Sequence, residues 1–206
     1  MTFNGFQQKD FETFQIDGLD ERMEAIQERI QPKFRSIYKE IADDLDALTE
    51  REMHLHIAKH ARRTVNPPKD TWSAYCHNKR GYKKHPHFQV GLWGDNLFIW
   101  LAYIYELPHK SEIAEKFLSE IDDIKETVPE DYHIAFDHMK NEAFPLSETD
   151  LQKGLERFKK VKKAEFLIGR KIDANDPLLQ DGEKLIQTIK ETFQTLAPLY
   201  RSSMNL

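Results

Sequence analysis

HLHIAKHARRTVNPPKDTWSAYCHNKRGYKKHPHFQVGLWGDNLFIWLAYIY, residues 54–105, decides the fold. Met53, Leu55 and Ile57 alternate with His54, His56 and Ala58, the period of two that marks a half-buried strand. Asn66-Pro67-Pro68 fits neither a helix nor a central strand, so residues 60–71 read as a loop. Trp72–Asn78 is a second strand, and Lys79–Pro86, with Arg80-Gly81, is a basic turn. His87–Trp93 is a third strand, which Gly94-Asp95-Asn96 turns into a fourth, Leu97–Tyr105. Short connections between consecutive strands favour an antiparallel meander over parallel βαβ units.

Helices flank this meander. Met23, Ile26, Ile30, Phe34, Ile37, Ile41, Leu45 and Leu48 recur every three or four residues, with Asp20 as the expected N-cap and a kink or break near Gln31, before Pro32. Downstream, a helix is predicted over about 109–127, a short strand over Tyr132–Asp137, a helix opened by Ser147–Asp150 and running to about Lys160, a strand over Glu165–Ile172, and a last helix over Asp181–Tyr200 that frays near Pro198. The expectation is α+β: a single domain over residues 1–206, with a mostly antiparallel or mixed sheet flanked by amphipathic helices. No Gly/Ser/Pro-rich linker divides the chain.

Charge is distributed unevenly. Between Arg51 and Val90 nine Lys/Arg face two acids, Glu52 and Asp70, inside a protein of net charge −5. Six of the nine histidines, all three tryptophans and the single cysteine lie in residues 54–105. The overall charge argues against a general nucleic-acid binder, whereas a local patch remains able to bind an anion. Without a second cysteine there is no intrachain disulfide, the N-terminal residues show no signal-peptide pattern, and the most apolar run, Leu97–Tyr105, is far short of a membrane span; a cytoplasmic location is expected.

Candidate contacts for an anion are Arg62, Arg63, Lys79, Arg80, Lys83 and Lys84, with His85 and His87 adding hydrogen bonds, since guanidinium forks and ammonium points suit phosphate. Trp72, Tyr82 and Trp93 are interleaved with these cations and are candidates to stack on a flat group. The ordinary alternative is a solvated hairpin tip whose cations blunt a sheet edge. His54/His56 and His85/His87 have metal-ligand spacing, but the surrounding cations oppose a divalent ion, and neither HExxH nor CxxC occurs, so no metal site is assigned. Cys76 and His77 are neighbours on a strand and point to opposite faces, which argues against a Cys-His pair. The acids at Asp122-Asp123, Glu126 and Glu130-Asp131 read as a solvated face. No GxSxG, Walker A or GxGxxG motif is present, and no catalytic residue or cofactor is named by the pattern. The leading expectation is binding of a phosphorylated or other anionic, nucleotide-like small molecule in a basic aromatic pocket. A nucleic-acid or protein interaction surface comes second, and a His-dependent metal hydrolase third.

HARRTVNPP and NKRGYKKHPHFQVGLW, followed by LFIWLAYIYE and preceded by GLDERMEAIQERIQPKF, resemble the YktB-like family of bacterial proteins over essentially the whole chain. The resemblance implies a compact α+β cytoplasmic protein and no particular activity.

Overall fold

The computed structural model describes residues 3–206. Its centre is a seven-stranded, wholly antiparallel sheet in the order β1-β2-β3-β4-β7-β5-β6. The strands are β1 (His54–Ile57), β2 (Asp70–Cys76), β3 (His87–Trp93), β4 (Asn96–Tyr103), β5 (His133–Ala135), β6 (Phe144–Pro145) and β7 (Phe166–Asp173). The meander expected from residues 54–105 forms one half, and β7 joins it along β4. The two-residue β6 has no counterpart in the sequence reading, because a pair so short carries no periodicity.

One row of cross-strand partners explains why the sheet has a helical face. Leu55, Tyr75, Phe88, Leu101, Ile168 and Ile134 lie side by side across six strands, all but Leu55 fully buried. Above them pack α3 (Gln31–Thr49), α4 (Lys110–Ser119), α6 (Leu151–Lys160) and α7 (Gly182–Met204). Phe193 and Tyr200 of α7 meet the Phe88 ring at 4.7 and 5.3 Å, while Phe117 of α4 and Phe158 of α6 close on Tyr103 and Phe166.

Several boundaries differ from the periodicity, each for a local reason. The break expected near Gln31 takes the form of a π-helical turn, Ile26–Ile30, between α3 and α2 (Leu19–Ala25), which follows the short α1 (Gln8–Glu12). The wider turn makes room for the ring of Pro32, which has no N–H to donate. Gly18, at φ 86°, is the N-cap in place of Asp20. The helix predicted over 109–127 is two, α4 and α5 (Ile121–Thr127), divided at Glu120. Asp150 caps α6 by accepting from the Lys153 N–H, so the start moves from Ser147. Helix α7 runs through Pro198 to Met204 because Leu199, Tyr200 and Ser203 are buried and hold its last turn.

The opposite face is made differently. The adjacent row reads His56, Ala74, Gln89, Trp100, Gly169 and His133. Trp72, Phe98 and Trp100 fill this face, and small residues leave room for them: a Cβ on Gly91 would come within 2.2 Å of the Phe98 ring and 2.7 Å of Trp72. Loops cover it in place of helices. Tyr82 packs there from a 3-10 turn (Tyr82–Lys84), Ala143 from the segment after β5, and Asn141 donates to Asp95 at 2.7 Å.

Candidate anion-binding groove

Two connections meet beside the edge strand β1. The loop after β1 turns at His60, a non-glycine residue at φ 50°, where Arg63 N–H returns to the His60 carbonyl at 3.0 Å. Its far end is pinned by Arg22, whose guanidinium donates to the carbonyls of Ile16 and Pro68. The loop after β2 turns at Gly81, at φ 66°, a conformation that glycine adopts freely. Between them lies an open groove of about 970 Å³. Arg62, Arg63, Lys79, Arg80 and Lys83 line it together, joined by Arg35 and Lys59, against two acids, Asp70 and Glu106. Trp72 and Tyr82 form part of its wall, linked by a 3.0 Å bond from the indole N–H to the tyrosine oxygen.

The remaining residues singled out from the sequence lie elsewhere. Successive side chains on a 3-10 turn point about 120° apart, so Lys83 faces the groove while Lys84 joins His85 in a separate concavity beside Leu107 and His109. His85 accepts from the Asn78 amide at 3.2 Å and lies edge-on to His77. His87 is fully buried; its Nδ1–H donates to the His85 carbonyl at 2.8 Å and its Nε2 accepts from Gln89 at 2.9 Å. Burial pushes this imidazole down to about 3, so it stays neutral and supports Tyr82 from below, edge to ring at 5.0 Å. Trp93 does not line the groove; with Asp70 it borders a neighbouring cleft and a small inner cavity. Cys76 is buried and its thiol is pushed up by desolvation, which leaves it a poor nucleophile.

Asp70 is the hinge of the arrangement, lining the groove, a neighbouring cleft with Arg63 and Lys69, and a small inner cavity. Burial raises its carboxyl to about 6, with the charges of His138, Arg63 and Lys83 opposing that rise. His60, edge-on to Trp72, is lowered to about 4, first by burial and then by Arg63 and Lys83. The inner cavity, about 20 Å³, is bordered by Asp70, Gln89, Asn96, His138 and Asn141 and is large enough for one water. Asn96 is buried with its amide nitrogen committed to Asp95 and Asn141, while its Oδ1 has no partner.

Behind Lys83 stands a pair that sequence reasoning missed. Glu165, 2% exposed, accepts from the His138 backbone N–H at 2.7 Å and from His138 Nδ1 at 2.8 Å. His138 Nε2 accepts from Lys83 Nζ at 3.3 Å, and that ammonium also lies 5.6 Å from the centre of the Trp72 ring. The only sequence signal was Glu165 itself, an acid directly before the apolar run Phe166–Ile168. His138, on a loop 27 residues earlier, gave none. With Asp137 these two residues form the one His/Cys/Asp/Glu group among the described residues close enough to share a metal ion, and it contains none of the histidines with metal-ligand spacing.

A family model described as a domain of unknown function, DUF1054, matches residues 6–200. The chain belongs to the DUF1054 family. Similar proteins include a UPF0637 protein of Oceanobacillus iheyensis, 58% identical over 98% of both chains, and one of Shouchella clausii, 57% identical over 99% of this chain and 97% of the other. A Listeria monocytogenes UPF0637 protein is 48% identical over 99% of this chain and all of its own. The resemblance to the YktB-like family fits these matches. The DUF1054 description names no activity, and the α+β architecture is as expected. None of the described helices of this DUF1054 chain is long and apolar enough to cross a membrane.

Proposed function

We propose that the chain binds a phosphorylated or otherwise anionic small molecule, nucleotide-like in having a flat apolar part, in the groove beside β1. The observation that supports this is the gathering of seven Lys/Arg and two acids around one groove walled by Trp72 and Tyr82. Guanidinium forks hold phosphate oxygens, and an aromatic wall holds a ring. A thermal-shift screen with ATP, AMP, pyrophosphate and ribose 5-phosphate tests the reading. A ligand at a hundred times its Kd stabilises by about 2.7 kcal/mol, and the double variant Arg62→Ala/Arg80→Ala should lose that shift. No shift with any of the four removes the proposal.

The exposure of Arg62, Lys79 and Arg80 on the rim also suits a longer polyanion, the second reading. Fluorescence anisotropy with a labelled oligonucleotide separates the two. Nucleic-acid binding at the rim predicts a log–log salt slope of about −0.7 per neutralised phosphate on single strands and about −0.9 on duplex. A small-molecule site predicts saturation by pyrophosphate and displacement of the oligonucleotide by it.

A further inference from the structure

Glu165 and His138 are arranged more restrictively than a structural latch requires. The carboxylate accepts three N–H groups: the backbone of His138, the Nδ1–H of the same residue, and the backbone of Tyr105 at 3.4 Å. The segment carrying His138 is itself held by a turn in which Asp137 Oδ1 accepts from the Met139 N–H at 2.9 Å. The imidazole is therefore fixed as the Nδ1–H tautomer, with its Nε2 lone pair facing Lys83 at the groove wall. A latch needs Nδ1 alone. The direction of Nε2, and the one-water cavity bordered by His138 and the buried Asn96 with its unpartnered Oδ1, are what a latch leaves unexplained. A metal ion is the weaker account of the Asp137–His138–Glu165 group, because the N–H donors already occupy Glu165 and an ammonium lies 3.3 Å from Nε2.

We propose that His138 is the general base, and Glu165 its positioning residue, for metal-independent hydrolysis of a phosphate ester held in the groove. The inference rests on the groove binding a phosphorylated ligand. On binding, Lys83 turns its ammonium to a phosphate oxygen and uncovers Nε2. A water then gives a proton to Nε2 as its oxygen bonds to phosphorus. The bond from phosphorus to the ester oxygen breaks, that oxygen leaves with the electron pair, and His138 returns its proton to solvent. Glu165 steadies the imidazolium formed meanwhile, as a buried carboxylate does for a catalytic histidine. The charged and titratable groups facing this imidazole are Asp137 on its own segment, Glu165 ahead of β7, Lys83 on the 3-10 turn, Asp70 on β2 and His87 on β3.

The test is release of p-nitrophenolate from p-nitrophenyl phosphate and from bis(p-nitrophenyl) phosphate, by the full chain in excess EDTA. At least one probe should be hydrolysed. His138→Ala should lower kcat about 100-fold or more, with KM within about threefold. His138→Gln keeps an amide to bond Glu165, and so protects the fold, yet takes up no proton; it should be as inactive. Glu165→Gln should lower kcat at least tenfold and leave KM nearly unchanged, whereas a purely structural glutamate would alter Tm without that split. Binding of bis(p-nitrophenyl) phosphate is followed separately by thermal shift. Binding without hydrolysis, or hydrolysis that survives both His138 variants, overturns this inference alone; absence of binding by any phosphate probe overturns the groove reading with it.

Discussion

Two neighbouring rows of the same sheet have opposite characters. Leu55, Tyr75, Phe88, Leu101, Ile168 and Ile134 face helices, and the next row, His56, Ala74, Gln89, Trp100, Gly169 and His133, faces loops. Both are largely buried, so burial does not separate them. What differs is the cover. A helix supplies a continuous apolar surface and no free polar groups along its length, and the row beneath it is apolar. Loops bring backbone carbonyls, amides and charged side chains, and the row beneath them contains histidines, glutamine and small residues that leave room for tryptophans. The helical face supplies stability, and the loop face holds the polar groups from which the proposed site is built.

The sharpest way to break this contrast is to damage the helical face. Phe88→Ala removes a ring packed on Phe193 and Tyr200 and should cost about 3–5 kcal/mol in urea unfolding. At temperatures where the variant is folded, pyrophosphate binding should be unchanged; loss of both together would show that the faces are not separable.

Acid should act next, and on the loop face. His87 and His60 are lowered below the ordinary histidine value, to about 3 and about 4. The unfolded chain therefore binds more protons below the ordinary value of about 6.5, and stability falls as pH drops from there towards 4. For His87 the loss by pH 4 is on the order of 3 kcal/mol. His87→Gln should flatten that slope in melts taken from pH 7 to 4, and an unchanged slope would show that another group controls it.

Asp70 has the opposite sign. Its carboxyl is raised to about 6, so the folded state holds the proton more tightly, and stability falls as pH rises from about 4 to 6. Asp70→Asn should raise stability at pH 7.5 by about 1–3 kcal/mol and leave it nearly unchanged at pH 4. The same variant removes one of the two acids that line the groove and so should tighten pyrophosphate binding; weaker binding would count against the anion reading. The smallest effect belongs to the rim, where Arg62→Ala/Arg80→Ala should change stability by no more than about 0.5 kcal/mol per site while removing the phosphate shift.

The fold was legible because its signals are local. Met53 to Ala58 and Trp72 to Tyr105 carry period-two patterning and turn residues in the right places, and Met23 to Leu48 carries the helical period across Pro32. The misplaced boundaries, at Glu120, Asp150 and Pro198, are where packing or a cap overrides propensity. The groove was half legible. Arg62, Arg63, Lys79, Arg80 and Lys83 were visible as a run, but which of two adjacent lysines faces inward depends on a 3-10 turn that the sequence does not announce.

By itself, then, the sequence determined the meander, the α+β class and the concentration of cations and aromatics in one stretch, since these follow from spacing between near neighbours. Only the tertiary structure decided that Lys84, His85, His87 and Trp93 part from the other cations and aromatics, and that Glu165 and His138 stand behind Lys83. Those relations join the turn after β2, the loop after β5 and the head of β7. Their meeting depends on β7 pairing with β4, a long-range register that no local pattern encodes.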